Sequence, residues 1–330
     1  MDKFEEIFNR QKKFTEHFFH NKHNKKLSDI VNNKKDLIQW NKEYILSLIV
    51  EATEILNEVD WKMHQKRIGE TYNDNILEEG IDVMKYLFGL LIINGFSMKD
   101  IYEKFIEKSD VVEAKFKQEE TMKKIKEKKD SQIVFVDVDG ILADWPGRYI
   151  EFVNKKYDTD YKTLPAVEKN LKQREMYSIK SDYRLSGVKK NMAVVKGAKA
   201  LLQELKRAGY FVILLTARPY KKIFRIYSDT LTWLKDNDLY FDAILWDEEK
   251  EKYIIQNFDT QQVKFCIDDN IGNVNRLSNK GFKTFLVNNV LMFNDQTEME
   301  KANKGKLNKD VIVTNNTVEL IEELKKMKLI

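Results

Sequence analysis

The sequence predicts two domains of different fold class, an all-α helical bundle followed by an α/β domain with a mostly parallel sheet. Its 330 residues suffice for two domains of roughly 150 residues each. The three prolines, Pro146, Pro165 and Pro219, all lie in the second part, whereas residues 1–118 show helical periodicity. From residue 132 onward, short β-rich runs alternate with amphipathic stretches. This alternation is typical of a parallel sheet with helices on both faces.

A run of charged residues separates the two predicted domains. Residues 117–132 read KQEETMKKIKEKKDSQ, which is typical of a solvated segment. We therefore expect an all-α domain at 1–118, a charged linker at 119–131 and an α/β domain at 132–330. Residues 145–195, about 50 in number, follow the first β-rich run and leave room for a small cap.

The composition predicts a folded cytoplasmic protein. Hydrophobic residues make up 42% of the chain, and 57 basic residues nearly balance 53 acidic ones. The net charge of +4 is too small to predict nucleic-acid binding by bulk electrostatics. A single cysteine, Cys266, excludes a disulfide framework and fits a reducing compartment. The N-terminus lacks the apolar core of a signal peptide, and the longest apolar run, 86–96, is too short to span a bilayer.

The first domain carries two pairs of acidic residues at helical spacing. Glu51 and Glu54 lie three residues apart in YILSLIVEATEILNEVDWK, and Glu79 and Asp82 repeat this spacing on the next predicted helix. Either pair alone is typical of an ordinary solvated helix. Two pairs on neighbouring helices would concentrate four carboxylates, which repel one another unless cations separate them. Such oxygen ligands suit Mg²⁺, which in turn binds polyphosphates.

These helices resemble the all-α nucleoside triphosphate pyrophosphohydrolases, dimeric dUTPases and MazG-like enzymes, over about residues 1–118. The matching positions are Glu51, Glu54, Asn57, Trp61, Lys62, Glu79 and Asp82. The resemblance implies a bundle, usually dimeric, that binds Mg²⁺ through the four acidic residues. It also implies attack of water on the α-phosphorus of dUTP, with dCTP or a modified dNTP as alternatives, to give a dNMP and pyrophosphate. The substrate-binding candidates that it implies are Gln11, Asn57, Lys62, Lys108 and Lys115.

In the second domain, three β-rich runs each end in a residue suited to phosphoryl chemistry. The domain has five β-rich runs in all, at 133–136, 211–215, 263–267, 284–287 and 311–313. The first is followed by Asp137 and Asp139, the second by Thr216, and the third by Asp268 and Asp269. Because α/β folds place their sites at the carboxyl ends of parallel strands, we expect these residues to meet at one edge of the sheet.

Their chemistry suggests a division of roles. Asp137 can attack a phosphoryl group to form an aspartyl-phosphate, and Asp139 can protonate the leaving oxygen and then activate water. Gly140 allows the backbone to approach the phosphate closely. Thr216 can hold a phosphate oxygen, and Arg218 is a further phosphate-binding candidate.

This pattern resembles the haloacid-dehalogenase superfamily over about residues 132–330, and within it the polynucleotide 3′-phosphatases and 5′-nucleotidases. The resemblance implies an Mg²⁺ site at Asp137, Asp139, Asp268 and Asp269. It also implies a lysine that neutralises the phosphoryl group, for which Lys250 and Lys252 are candidates. We expect Lys252, because it directly precedes the apolar start of a helix.

Three functions are compatible with these patterns. The leading hypothesis is a bifunctional, Mg²⁺-dependent hydrolase that converts dUTP or a related dNTP to a dNMP and then dephosphorylates it. The second directs the phosphatase at the 3′-phosphates of nucleic-acid ends. The third is a non-catalytic nucleotide sensor or dimerisation protein. In each case we expect a homodimer formed through the first domain, since its long apolar helix exceeds what a small lone bundle can bury.

Overall fold

The computed structural model describes residues 2–59, 73–128, 130–223 and 225–330, and the chain divides into two compact units, Met1–Glu107 and Lys108–Ile330. The first unit is all-α, as predicted. Its helices are α1 (Lys3–His23), α2 (Leu27–Asn32), α3 (Lys34–Asn57), α4 (Asn73–Ile93) and the first part of α5 (Met98–Glu127). Because α5 continues to Glu127, most of the segment predicted as a linker is helical.

Two small apolar clusters form the core of the first unit. Phe8 of α1 packs against α4, and Phe19 of α1 packs with Ile30 and Ile93. Asn33 separates α2 from α3, and its side chain accepts hydrogen bonds from the first turn of α3, as an N-cap residue does. Within the part of the chain that the structure describes, α3 buries none of its residues fully. This helix therefore leaves one apolar face in solvent.

The described part of the second unit contains a parallel sheet of six strands, which are β1 (Ile133–Val136), β2 (Phe211–Thr216), β3 (Ala243–Trp246), β4 (Val263–Asp268), β5 (Thr284–Val287) and β6 (Ile312–Thr314). They lie in the order β3-β2-β1-β4-β5-β6. All five predicted β-rich runs are strands, and β3 was not among them. The predicted α/β fold class is confirmed.

Helices cover both faces of this sheet, as predicted. They are α9 (Ala198–Arg207), α10 (Arg225–Asp236), α11 (Lys250–Asn257), α12 (Ile271–Ser278), α13 (Gln296–Lys306) and α14 (Thr317–Lys326). Alternate residues of β1 enter different apolar clusters, with Val134 and Val136 on one face and Ile133 and Phe135 on the other. The sheet is therefore buried on both sides, which explains its continuous apolar runs.

A small helical cap lies between β1 and α9 in sequence. It comprises α6 (Gly147–Tyr157), α7 (Leu164–Asn170) and α8 (Gln173–Leu185), followed by a 3₁₀ turn at Val188–Asn191. The cap has an apolar cluster of its own, which includes Tyr149, Val167 and Tyr183. None of the described helices is both long and apolar enough to cross a membrane.

The sheet core provides a test of the packing. Phe285 is fully buried on β5, with its ring centroid 5.4 Å from that of Phe265. We expect Phe285→Ala to lower the free energy of unfolding of the second unit by about 3–5 kcal/mol, because it leaves a cavity. Urea unfolding followed by tryptophan fluorescence measures this change. Tyr177→Ala, at a position that is 70% exposed, is the control, and an equal loss in both variants would contradict the assigned core.

Candidate active sites

The carboxyl ends of β1 and β4 bring two buried aspartates together around one lysine. Asp137 follows β1, Asp268 ends β4, and Lys250 begins α11. The Lys250 Nζ lies 2.8 Å from Asp137 Oδ1 and 2.6 Å from Asp268 Oδ2, and its side chain is only 3% exposed. The ammonium thus neutralises part of the charge of two carboxylates away from solvent.

This arrangement corrects the choice of lysine made from the sequence. Lys252 is 59% exposed and pairs with Glu249 one turn before it. Two residues along a helix correspond to about 200°, so Lys250 and Lys252 point in nearly opposite directions. The structure turns the first toward the sheet edge and the second into solvent.

Three carboxylates next to this lysine form a group that can hold a metal ion. Oxygen atoms of Asp137, Asp268 and Asp269 all lie within 4.8 Å of one another. Burial, opposed by the charge of Lys250 and supported by that of the neighbouring Asp268, raises the pKa of Asp137 to about 7. Burial also raises the pKa of Asp269, with Asp137 as the next cause. Since one ammonium faces three carboxylates, the residues present fit a divalent cation with oxygen ligands, such as Mg²⁺.

The side chain of Asp139 lies outside this group. Arg218 grips its carboxylate with two nitrogens, Nε at 3.0 Å from Oδ2 and Nη2 close to Oδ1, and Lys189 of the cap adds a contact of 3.3 Å. Burial would raise the pKa of Asp139, but the charges of Arg218 and Lys189 hold it well below its usual range. The structure therefore makes Asp139 an ion-paired carboxylate rather than a fourth metal-ligating side chain.

Arg218 differs accordingly from the predicted phosphate-binding role. Its side chain is 1% exposed, and besides Asp139 it donates to the hydroxyl of Thr230 at 2.8 Å. These contacts direct the guanidinium to Asp139, so Arg218 positions that carboxylate. The nearby Thr216 hydroxyl accepts a hydrogen bond from the Arg218 backbone N–H at 3.3 Å, and Thr216 lines the cavity. Its role in holding a phosphate oxygen stays a prediction.

Gly140 occupies a position that a side chain could not share. Its φ is +85°, in the left-handed region, and a Cβ here would lie 1.8 Å from Asp269 Oδ2. Glycine thus permits both the turn after β1 and the close approach of Asp269.

The site also contains residues that the sequence did not predict. Asn273, on α12, donates to both carboxylate oxygens of Asp268 at 3.1 and 3.0 Å. Arg276 donates to the Asn273 side chain and to the buried Glu251, the latter at 3.2 Å. This chain of contacts fixes the position of the Asp268 carboxylate. Its only signal in the sequence is polar spacing along α12, which solvated helices share.

The cap closes one side of this site. A cavity of about 230 Å³ is lined by Asp137, Asp139, Trp145, Lys180, Tyr183, Arg184, Lys189, Thr216, Ala217, Arg218, Pro219, Lys250, Asp269, Asn270, Asn273 and Met292. The carboxylates and Lys250 come from the sheet edge, whereas the cap contributes aromatic and cationic side chains. This combination suits an organic phosphate with its phosphoryl group at the sheet and its organic part toward the cap.

The first unit also groups acidic side chains. Oxygen atoms of Glu51, Glu79 and Asp82 lie within 4.8 Å of one another. Desolvation raises the pKa of Glu51 and of Glu79, and in each case the charge of Glu54 is the next cause. Glu54 therefore lies close by although its oxygens fall outside the group. Asp82 additionally pairs with Lys85 at 2.8 Å. These residues fit the oxygen-ligated cation expected from the sequence.

A larger cavity adjoins these carboxylates. Its volume is about 850 Å³, and it is lined by Ile7, Arg10, Gln11, Phe14, Phe18, Trp40, Glu43, Tyr44, Ser47, Glu51, Ile81, Asp82, Met84, Lys85, Tyr86 and Phe88. Gln11 thus shares a cavity with two of the predicted metal ligands and with several aromatic rings.

Of the remaining substrate-binding candidates, Asn57 is described in the first unit and does not line this cavity. Asn57 is the last residue of α3, and Lys62 lies outside the described residues, as does Trp61. Lys108 and Lys115 fall in the second compact unit, where the Lys115 ammonium lies 5.6 Å from the centroid of the Tyr227 ring. Their predicted role in substrate binding stays a prediction.

Comparison with known proteins agrees with this geometry. Residues 131–316, more than half of the chain, match the family described as 5′ nucleotidase, deoxy (Pyrimidine), cytosolic type C protein. The chain belongs to this family. Residues 3–145 match the family described as dUTPase. This member of the deoxy-pyrimidine 5′-nucleotidase family is therefore also fused to a dUTPase-like region. Both are hydrolase families, so the chain is an enzyme that hydrolyses nucleotides, which favours the enzymatic hypotheses over a non-catalytic sensor.

Solved structures similar to this 5′-nucleotidase-family chain include a hydrolase and two phosphatases. A haloacid dehalogenase-like hydrolase, SP0104 from Streptococcus pneumoniae, is 16% identical, covering 60% of this chain and 100% of its own, with a TM-score of 0.42. A predicted phosphatase from Clostridium acetobutylicum is 21% identical over 60% and 98%, with a TM-score of 0.42. D,D-heptose 1,7-bisphosphate phosphatase from B. bronchiseptica, complexed with magnesium and phosphate, is 11% identical over 59% and 99%, with a TM-score of 0.35. No curated protein matches this chain.

The two lysines of α11 provide a matched pair of variants. We expect Lys250→Gln to lower kcat for p-nitrophenyl phosphate by about 100-fold or more, because a preorganised charge facing the phosphoryl group is lost. Lys252→Gln, which removes the same charge two residues away, should leave kcat within about twofold. Steady-state assays of both purified variants test this, and the opposite order of effects would restore Lys252 as the functional lysine.

Proposed function

We propose that this chain carries out two hydrolyses in series on one pyrimidine nucleotide. The first unit converts dUTP, or a related dNTP, to a dNMP and pyrophosphate. The second unit removes the remaining phosphate and leaves the nucleoside. The observation that carries this proposal is the presence, in one chain, of a dUTPase-like region and a deoxy-pyrimidine 5′-nucleotidase region. The product of the first family is a substrate of the kind that the second is named for, and fusion raises its effective concentration.

In the second unit, Asp137 is the nucleophile. Its carboxylate attacks the phosphorus, the bond from phosphorus to the sugar oxygen breaks, and an aspartyl-phosphate forms. Lys250 and Thr216 support this step because both face the same cavity as Asp137. Mg²⁺ bound by Asp137, Asp268 and Asp269 would neutralise charge on the phosphoryl oxygens.

Asp139 acts as the base of the second half-reaction, in which it takes a proton from the water that attacks the phosphorus and releases phosphate. The transfer of a proton from Asp139 to the departing sugar oxygen, expected from the sequence, requires the protonated carboxyl that its ion pairs disfavour, so solvent water supplies that proton in the first half-reaction. The ion pairs of Asp139 with Arg218 and Lys189 favour the ionised form that the second step requires. The two aspartates thus take different roles because their surroundings shift their pKa values in opposite directions.

In the first unit, Glu51, Glu79 and Asp82, with Glu54 beside them, would hold Mg²⁺ on the triphosphate of the substrate. The aromatic lining of the cavity suits the base, and Gln11 offers an amide to its hydrogen-bonding edge. Water then attacks the α-phosphorus, and pyrophosphate leaves. dUTP is the leading substrate because of the family that residues 3–145 match.

A product assay tests the series. Purified protein with Mg²⁺ is incubated with dUTP and with each of the four common dNTPs, and the products are separated by chromatography. We expect wild-type protein to give nucleoside from one of them. Asp137→Asn should accumulate the monophosphate, because the second site has lost its nucleophile. Glu51→Gln should leave the triphosphate intact while still hydrolysing added dNMP.

The outcomes separate the two halves of the proposal. Monophosphate that persists with wild-type protein would uphold the first activity and exclude dNMP as a substrate of the second unit. No turnover of any dNTP, with dNMP still hydrolysed, would remove the pyrophosphatase activity and leave the phosphatase.

We also propose that the first unit forms a homodimer. Ile38, Ile45, Leu46, Ile49, Val50 and Leu56 are each 40–59% exposed on one face of α3. An apolar patch of this kind is typical of an interface rather than of a monomer surface. Burial of this face against a second copy would complete the core that the two small clusters leave unfinished.

A single charge on this face tests the dimer. We expect Ile49→Glu to shift the protein from dimer to monomer in sedimentation-velocity experiments, because a carboxylate would be buried in an apolar interface. Asn21→Glu places the same charge at an exposed polar position of α1 and should leave the dimer intact. A monomeric wild-type protein at micromolar concentration would contradict the proposal.

A further inference from the structure

Two cations at the mouth of the phosphatase cavity lack an ion partner among the described residues. Lys180 and Arg184 lie one turn apart on α8, and both line the cavity. No described carboxylate comes within 4.0 Å of either. Asp182, the carboxylate between them in sequence, pairs with Lys156 instead.

The other cations of this site are all engaged. Lys250 binds Asp137 and Asp268, and Arg218 and Lys189 bind Asp139. Among the residues that the structure describes, Lys180 and Arg184 thus differ from them in having no anion to neutralise. Cations that face a phosphate-binding cavity without a protein partner are suited to an anionic part of the ligand.

A count of formal charges supports this assignment. Within the described ranges, Asp137, Asp139, Asp268 and Asp269 face five cations, namely Lys180, Arg184, Lys189, Arg218 and Lys250. One positive charge remains, and a divalent cation at the three carboxylates would raise the excess to three. A phosphomonoester brings a charge of about −1.5 to −2. Positive charge therefore remains at the mouth when the substrate has one phosphate.

The size of the cavity locates the rest of the substrate. Its volume of about 230 Å³ is below the range of roughly 300–1,000 Å³ that is usual for ligand pockets. A phosphoryl group bound at Asp137 therefore leaves part of the nucleotide at the mouth. There it lies beside the aromatic residues Trp145 and Tyr183 and within the reach of α8.

We propose that Lys180 and Arg184 bind a second phosphate of the substrate, so that this site hydrolyses nucleotides that carry a terminal phosphomonoester and one further phosphate. The second phosphate belongs either to a nucleoside 3′,5′-bisphosphate or to the next linkage of a short strand. The terminal bond from phosphorus to the sugar oxygen breaks, water supplies the oxygen of the released phosphate and the proton of the alcohol, and the second phosphate is unchanged. This inference rests on the monoester hydrolysis proposed above.

The test compares substrates that have one and two phosphates. Wild-type full-length protein is assayed for phosphate release from dTMP, thymidine 3′,5′-bisphosphate, and thymidine dinucleotides phosphorylated at the 5′ or the 3′ end. We expect a higher kcat/KM for at least one substrate with two phosphates. The Lys180→Gln/Arg184→Gln variant should lower that kcat/KM by at least about tenfold, since charge-assisted hydrogen bonds are lost. Its kcat/KM for dTMP should fall by a smaller factor than its kcat/KM for the substrate with two phosphates.

A second variant controls for net charge. Lys169 and Arg174 are exposed cap residues that do not line the cavity. Lys169→Gln/Arg174→Gln removes the same two charges and should leave every substrate unaffected. Calorimetric titration of thymidine 3′,5′-bisphosphate into Asp137→Asn protein, with and without the Lys180 and Arg184 substitutions, gives a binding readout that needs no turnover.

The outcomes distinguish the sources and the proposals. Preference for the dinucleotides assigns the second phosphate to a strand, and preference for the bisphosphate assigns it to a free nucleotide. An equal loss on dTMP would mean that both cations serve the scissile phosphate, and would overturn the inference, as would equal calorimetric affinity with and without them. If the protein hydrolyses the substrates with two phosphates but not dTMP, the proposed series is contradicted and this inference stands.

Discussion

The second unit depends on a buried lysine held between two aspartates. Ions removed from water lose several kcal/mol of solvation each, so Lys250, Asp137 and Asp268 are tolerated only in close mutual contact. The parallel sheet provides that contact, because β1 and β4 are neighbours whose carboxyl ends deliver the two aspartates side by side. The start of α11 then places the ammonium 2.8 and 2.6 Å from their oxygens. The order of the strands thus determines which aspartates lie next to Lys250.

Around this centre, the two aspartates of the first motif are held by different partners. Burial, opposed by the charge of Lys250 and supported by that of Asp268, raises the pKa of Asp137 to about 7, whereas the charges of Arg218 and Lys189 outweigh burial and lower the pKa of Asp139. Residues separated by one position in a turn would have similar environments if both were exposed. Burial beneath the cap separates them, because Lys189 of the cap and Arg218 after β2 both reach Asp139. The difference between the pKa values of Asp137 and Asp139 therefore results from how each side chain is packed.

The sequence was sufficient for the features that depend on local pattern. Helical periodicity and β-rich runs predicted both fold classes, and the ends of three runs predicted Asp137, Thr216 and Asp268. What failed depended on tertiary placement. Lys250 and Lys252 are equivalent in a linear pattern, and only the orientation of α11 distinguishes them. Lys189 and Asn273 have ordinary neighbours in sequence and acquire their contacts through the cap and α12.

The two units differ in how much of their apolar surface their own residues bury. The sheet unit buries its strands on both faces, but α3 in the helical unit leaves its apolar face exposed while it carries Glu51 toward the acidic group. A helix packed on one side only does not by itself hold three like charges within 4.8 Å of one another. A cation at the acidic group and a second copy on the apolar face would each stabilise the same position of α3. Whatever binds the ordered form stabilises it by mass action, so metal binding and self-association of this unit should reinforce each other.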